Sequence, residues 1–461
     1  MPQLAVSLFV RNNYPKLSIE LCNTTVVSSQ ALNLARRQIA EVHYECTRAN
    51  DDTPTETPLV VDLFAGGGSI PLEALRLGCT TLAGDLNPVA YLIELCTLVY
   101  PQRYPELAAQ VSYWGKRLLK QVQHTVSDAF PPVTMKQHPD TTTAQLPLQQ
   151  AEYTDSARTP GVVPSAYIWT HTVTCPNPHC GATVPLTTNT WLVNKPKKPV
   201  VALRIEPTAD RQGVQFIRHE APTCDMLGFT PDGLGTRGHT RCVCSGATVD
   251  NTHVKRQGKA GNLAVQLMAV VFHDPVHHKR HYMAAADLSP DALPLRQTLD
   301  ARIARLCAET GLTVPDEQIY SGDSRAFFTH LYGFDRFGDL FTRRQLLVLL
   351  TFADQLRKLH QAMLAEGLDA EQARAIASYL GLLINRLADW NSTICKWAPT
   401  SEAISNTFAR QALPMMWNFV EMYPFGIGWG NLPDALDSDG GNDSGALACP
   451  GCRPGDSRAS A

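Results

Sequence analysis

Charge is scarce and balanced in this 461-residue chain. Asp, Glu, Lys and Arg make up 18% of it, and the formal net charge is −3. A globally basic, polyanion-seeking molecule is therefore excluded, although a local basic face can still steer nucleic acid. No apolar run reaches about 18 residues, so no membrane span is expected. The N-terminal stretch MPQLAVSLFVRNNYPK lacks a basic leader ahead of its short apolar run and lacks a cleavage site, which points to a cytoplasmic protein. The 13 cysteines are scattered over the whole length, unlike the framework of a small secreted disulfide protein. Hydrophobic residues at 44% are enough for sizeable cores, and the length suggests two or three domains.

Periodicity organises what is there. Residues 26–48 carry a loose helical stripe through Leu32, Leu34, Ala35, Ile39 and Val42. LVVDLF at 59–64 reads as a short strand of the kind buried on both faces in a parallel sheet. Pro71–Leu77 follows as a helix stopped by Gly78, TTLAGD at 80–85 as a second strand, and Pro88–Leu98 as a second helix. That order opens a doubly wound α/β unit. Residues 1–130 form the first domain, and 131–169, rich in Pro, Thr and Gln, a linker. Short strand-like pieces fill 170–290. Helices dominate 291–425, where Ile376, Leu380, Leu383, Ile384 and Leu387 share one face. Small and polar residues make 426–461 a flexible tail.

The chemistry-bearing stretch is VDLFAGGGSI at 61–70. A strand opening into a helix through AGGG lets backbone approach a ligand closely, and the first N–H groups of the helix face it. The turn has neither the G-x-G-x-x-G spacing of a dinucleotide site nor the G-K-[ST] of a phosphate loop, so a sulfonium nucleoside fits better than a pyrophosphate. Asp85, at the end of the second strand, is placed to reach a ribose diol. The alternative is an acid in a solvent-facing turn, which the following LNP accommodates equally well.

DLFAGGGSIPLEALRLG at 62–78 and GDLNPVA at 84–90 resemble the cofactor motif of S-adenosylmethionine-dependent amino-methyltransferases. CPNPHCGATVPL at 175–186, FGDLFTRRQLLVL at 337–349, RLADWNSTICKWAP from 386 and NTFARQALPMMWNFVE up to 421 narrow the resemblance. Together they are similar to large prokaryotic adenine-specific DNA methylases with a zinc-ribbon insertion. The resemblance implies an α/β fold: a class I methyltransferase (Rossmann-like) core, a zinc-ribbon-like β insertion and a helical subdomain. It implies donor binding by Asp62, Phe64, Ala65, Gly66, Gly67 and Gly68, with Asp85 on the ribose and Leu86 and Asn87 beside the adenine. Glu73 belongs to the motif as part of the first helix, where it can also favour that helix's N-terminus. The implied reaction transfers a methyl group to N6 of adenine in DNA, in a restriction-modification or phage-defence setting.

The family's second motif, a strand ending in Asp or Asn, two prolines and an aromatic, is absent. The only Pro-Pro pair, Pro131-Pro132, precedes Val133 within the linker. A catalytic residue is therefore not assigned: a companion chain could supply the strand, the gene could be degenerate or truncated, or an unusual residue could substitute. A split or incomplete enzyme is the expectation. A non-catalytic DNA-binding or assembly subunit is the competing reading.

Cys175 and Cys180 have four residues between them, and Cys242 and Cys244 one. Two thiolate pairs on tight turns suit a closed structural zinc site, with His179, His239 and Cys224 as substitutes for an ill-placed thiol. The Cys449/Cys452 pair stands alone in the tail and is not assigned. Lys195, Lys197, Lys198, Lys255, Arg256 and Lys259 flank this module as candidate phosphate contacts, or equally as solvated hairpin turns.

Overall fold

A computed structural model describes residues 29–49, 57–133, 163–233, 235, 239–274, 279–289, 293–322, 327–409, 412–426 and 432–436. The chain divides into two compact units, Met1–Tyr113 with Met363–Tyr379 and Asp439–Ala461, and Trp114–Ala362 with Leu380–Ser438. Among the described residues, no helix is long and apolar enough to cross a membrane.

The first unit begins with α1 (Ser29–Ala49), close to the expected helix. Its Ala31 and Ala35, one turn apart, are buried with Leu77, and Leu32 and Ile39 pack beside them. Strand β1 (Leu59–Asp62), helix α2 (Ser69–Arg76) and strand β2 (Thr80–Ala83) then form a parallel β-α-β unit, Leu59 opposite Thr80 and Asp62 opposite Ala83. Two left-handed glycines bracket α2, Gly68 at φ 75° and Gly78 at φ 85°. Gly78 terminates the helix as expected. Arg36 of α1 donates through Nε to the Arg76 carbonyl at 2.9 Å, satisfying one of the orphan acceptors at the end of α2. Asn87 caps α3 (Pro88–Glu94) by accepting from Val89 N at 2.9 Å, with Pro88 in the first helical position. A π-turn, Leu95–Val99, continues α3.

One expectation fails here. LVVDLF is not buried: Leu59, Val61, Leu63 and Leu82 are all more than half exposed. The physical reason is the size of the sheet. Among the described residues, β1 and β2 form a two-stranded sheet, with α2 packed against one side of it. Parallel strands ordinarily need cover on both faces.

Helix α4 (Leu107–Thr125) buries Leu118 and Val122 completely. The second unit is built on an antiparallel sheet. β3 (Ala166–Thr174) carries β4 (Thr183–Pro185) on its C-terminal end. A separate three-stranded sheet follows, formed by β5 (Trp191–Val193), β6 (Val200–Pro207) and β7 (Val214–Ala221). A small ribbon of β8 (Thr240–Arg241) and β9 (Thr248–Val249) leads to α5 (Asn251–Lys259), capped by the Asp250 side chain on His253 N. β10 (Ala264–Asp274) and β11 (Lys279–Ala284) return to the main sheet, and α6 (Arg296–Thr310), α7 (Arg343–Ala365) and α8 (Ala370–Trp390) follow. On α8, Ile376, Leu380, Leu383 and Leu387 of the stripe are buried, whereas Ile384 is only half-buried. A hairpin of β12 (Lys396–Ala398) and β13 (Ala403–Ser405) precedes β14 (Asn418–Met422), which pairs with β3. The strand-rich segment and the last block of the chain thus share one sheet, in the order β11-β10-β3-β14.

A buried ion pair locks that sheet to α7. Arg344 donates through Nε and Nη2 to the two Glu421 carboxylate oxygens at 2.7 and 2.8 Å. Trp169 Nε1 adds a third bond to the carboxylate at 3.1 Å, and the guanidinium lies over the Tyr167 ring. Asn391 accepts from Gln345 Nε2 and from Met422 N, both at 2.9 Å, so it cross-links α7 and β14.

Candidate functional site

The glycine turn and the strand-end acid meet at the carboxyl ends of β1 and β2. Asp85 Oδ2 accepts from Gly66 N at 2.9 Å, and Oδ1 from Asn87 N at 2.8 Å. These backbone donors, Asn87 first and Gly66 second, hold the Asp85 carboxyl below the usual range. The strand ladder extends into the turn through Gly84 N to the Asp62 carbonyl at 3.0 Å and Ala65 N to the Gly84 carbonyl at 3.2 Å. Asp62 Oδ1 accepts from Phe64 N at 3.2 Å. Gly66 sits at φ 57°, and a Cβ at Gly66 or Gly67 would meet nothing within 4 Å. The cradle is therefore bare backbone, anchored by one carboxylate, on the side where open α/β sheets take ligands.

Phe64 and Leu86 stand at its mouth, 87% and 96% exposed. Two large apolar side chains held in solvent are what a stacked purine would cover. Glu73 is not at the N-terminus of α2. It pairs with Arg76 at 2.7 Å, one turn along the same helix.

Glu94, at the end of α3, carries a signal that its sequence position does not. It is buried, and its Oε1 has no hydrogen-bond partner. Burial, with the Asp85 and Asp62 carboxylates adding to it, pushes its carboxyl above the usual range. One turn further, Thr97 and Leu98 of the π-turn stand 3.3 Å from where a Cβ on Gly68 would lie. π-Turns of this kind concentrate at functional sites.

The second candidate is the cysteine cluster. The sulfurs of Cys175, Cys180 and Cys242 all lie within 4.8 Å of one another, with Cys180 and Cys242 at 3.8 Å. A tetrahedral centre with metal–sulfur bonds of about 2.3 Å separates its sulfurs by about 3.8 Å, so the three thiols fit a zinc-like ion. The core beneath them is Val173, Val184, Leu186, Val249 and Trp417. Burial raises the Cys242 thiol, but the Ser245 hydroxyl and the Ser245 and Cys244 backbone N–H groups outweigh it and bring the thiol down to about 7. Cys244 falls outside the three-sulfur set and donates to the Gly213 carbonyl at 3.5 Å. Burial and the neighbouring Cys242 and Cys180 push its thiol up. Of the substitutes, Cys224 and His239 are exposed, and neither they nor His179 join the cluster. Cys449 and Cys452 lie outside the described residues.

The basic candidates divide. Lys195 is tied to Glu402 at 2.6 Å, and that carboxylate also accepts from Tyr282 Oη at 2.7 Å. Arg256 donates to His253 Nδ1 at 3.0 Å, and Lys255 lies over the Tyr332 ring. Lys197, Lys198 and Lys259 are exposed. No protein-family model, no curated protein and no solved structure matches this chain.

Proposed function

We propose that the chain binds S-adenosylmethionine in the cradle of Gly66–Gly68 and serves adenine-N6 methylation of DNA together with a second polypeptide. The observation that carries this reading is the Asp85 carboxylate clamped to Gly66 N at the ends of two parallel strands. Each Asp85 oxygen takes one backbone donor, leaving acceptor capacity for a ribose diol. Asp62 and Asp85 give the cradle negative charge, which suits a ligand with a sulfonium and an ammonium group. Such a cation would favour ionisation of the buried Glu94, whose carboxyl is otherwise pushed up. Phe64 and Leu86 flank the adenine, and Asn87 holds the helix beside it.

Two observations support a shared active site. No Asp-Pro-Pro-aromatic strand that would hold the target amine occurs within residues 1–461, so in this reading it comes from outside them. The sheet that such a strand would join is, among the described residues, a two-stranded parallel pair with exposed Leu59, Val61 and Leu82. Docking of further strands and a helix on that face buries apolar surface that is otherwise left in water. The three thiols, loaded with zinc, brace the β3 and β8 ends, and Lys197, Lys198 and Lys259 supply sequence-independent phosphate contacts. A radiolabelled methyl-transfer assay on DNA, with and without the product of the neighbouring gene, tests the proposal. Transfer only in the mixture is expected. Donor binding with no transfer in either case supports the assembly-subunit reading instead, and transfer by the isolated chain would show that the amine-holding residues are already in it.

A further inference from the structure

The two turns that carry the thiols are built alike. In the first, Cys175 directly follows β3 and Cys180 directly precedes Gly181, at φ 62°. Its N–H bonds run back to the Asn177 carbonyl, from Cys180 at 3.0 Å and from Gly181 at 3.4 Å. In the second, Cys242 directly follows β8, and the residue before the left-handed Gly246, at φ 72°, is Ser245. Gly246 N closes this turn on the Cys242 carbonyl at 2.8 Å. Cys175 N and Cys242 N each donate to the carbonyl of the alanine after the turn glycine, Ala182 at 2.8 Å and Ala247 at 2.9 Å. This pairs Cys175 with Cys242 across turns that differ by two residues in length, and the position before each glycine pairs Cys180 with Ser245. Cys244 is one residue too early for the vertex its residue type suggests.

The distances agree with that match. Metal–sulfur bonds of about 2.3 Å and a metal–oxygen bond of about 2.0 Å place a sulfur and an oxygen on neighbouring tetrahedral vertices about 3.5 Å apart. Ser245 Oγ lies 3.4 Å from Cys175 Sγ. Cys244 is turned toward the β6–β7 connection, where its Sγ meets the Gly213 carbonyl at 3.5 Å and its own carbonyl accepts from Arg211 Nη2 at 2.7 Å.

We infer that the fourth vertex of this metal site belongs to the Ser245 hydroxyl, leaving a divalent zinc-like ion held by three thiolates and one oxygen, with Cys244 outside the coordination sphere. The inference rests on the reading of the three thiols as a metal site and is independent of the methyl-donor cradle. Three thiolates leave the site one negative charge poorer than a four-cysteine ribbon. Ser245 is also solvent-exposed, so its vertex is where water, a chelator or an external thiol exchanges onto the ion.

Cobalt(II) substitution of the full chain tests this, because thiolate-to-cobalt charge-transfer absorption counts sulfur ligands. Cys244→Ser is expected to leave the band and the chelator-competition affinity unchanged. Ser245→Cys should raise the band by about a third, from three thiolates to four, and tighten binding at least about tenfold. Ser245→Ala should keep the three-thiolate intensity while shifting the ligand-field bands. A Cys244→Ser protein that loses part of the charge-transfer band, with Ser245→Ala spectrally silent, overturns the assignment of Ser245 alone. A parent protein that takes up no cobalt overturns the metal site with it. Circular dichroism of each variant identifies any loss of signal that comes from misfolding, and Cys180→Ser, expected to lose about a third of the band, calibrates the count.

Discussion

Alanine substitutions at the three turn glycines separate what the backbone needs from what a ligand needs. Gly66 and Gly68 adopt positive φ, 57° and 75°, whereas Gly67 does not. Holding an L side chain in the left-handed region costs about 1–2 kcal/mol. A Cβ at Gly66 meets nothing within 4 Å, so Gly66→Ala should cost only that backbone term, about 1 kcal/mol. At Gly68 the new methyl stands 3.3 Å from Leu98 Cδ1 and Thr97 Oγ1, and Gly68→Ala should cost about 2 kcal/mol or more. Gly67 has neither problem. Gly67→Ala should be neutral, or stabilising by about 0.5 kcal/mol through the reduced freedom of the unfolded chain. Yet it adds a methyl where the backbone is proposed to lie against the donor, so affinity for S-adenosylmethionine should fall at least about tenfold, or about 1.4 kcal/mol. Urea denaturation reads the first quantity and titration calorimetry the second. A Gly67→Ala protein as stable as its parent that binds the donor equally well refutes the cradle. One destabilised by more than about 1 kcal/mol refutes the backbone argument.

Arg344→Met should destabilise the second unit by about 3–5 kcal/mol in chemical denaturation, because it strands the buried Glu421 carboxylate. The Arg344→Met/Glu421→Leu pair should recover part of this, and a single-variant cost below about 1 kcal/mol would contradict the network. Burial lowers His171 to about 4, against a weak opposing bond from the Ala264 backbone. Its neutral form is thus favoured by the fold, so the stability it contributes is present above about pH 6.5 and lost as pH falls toward 4, amounting to about 3 kcal/mol. His171→Leu should remove that slope from the difference between denaturation at pH 7 and pH 4.5, and an unchanged slope would show that other groups set it. Glu94→Gln should weaken binding of S-adenosylmethionine more than of neutral methylthioadenosine, and equal losses would remove Glu94 from the charge balance of the cradle.

Local chemistry made the glycine turn readable. LVVDLF followed by AGGG yields a strand, a left-handed turn and a helix, and Asn87-Pro88 caps the next helix, because each step depends on neighbours within a few residues. The rest depends on distant partners. β3 pairs Trp169 with Phe419, and nothing in either segment specifies a strand so far away. The exposure of Leu59 and Val61 reflects which strands are present beside β1, while their side chains alone suggest burial. Glu94 looks like an ordinary helix-surface acid until the fold buries it beside Asp62 and Asp85. Ser245 was legible in principle: the residue before a glycine in a tight turn is a ligand position, but attention to residue type selects Cys244 instead.

Calorimetric titration of the full chain with S-adenosylmethionine decides whether the glycine turn and Asp85 form a methyl-donor site. Saturable one-to-one binding is expected, weakened at least about tenfold by Asp85→Ala. No heat of binding with the parent protein, or the same affinity after Asp85→Ala, would contradict it.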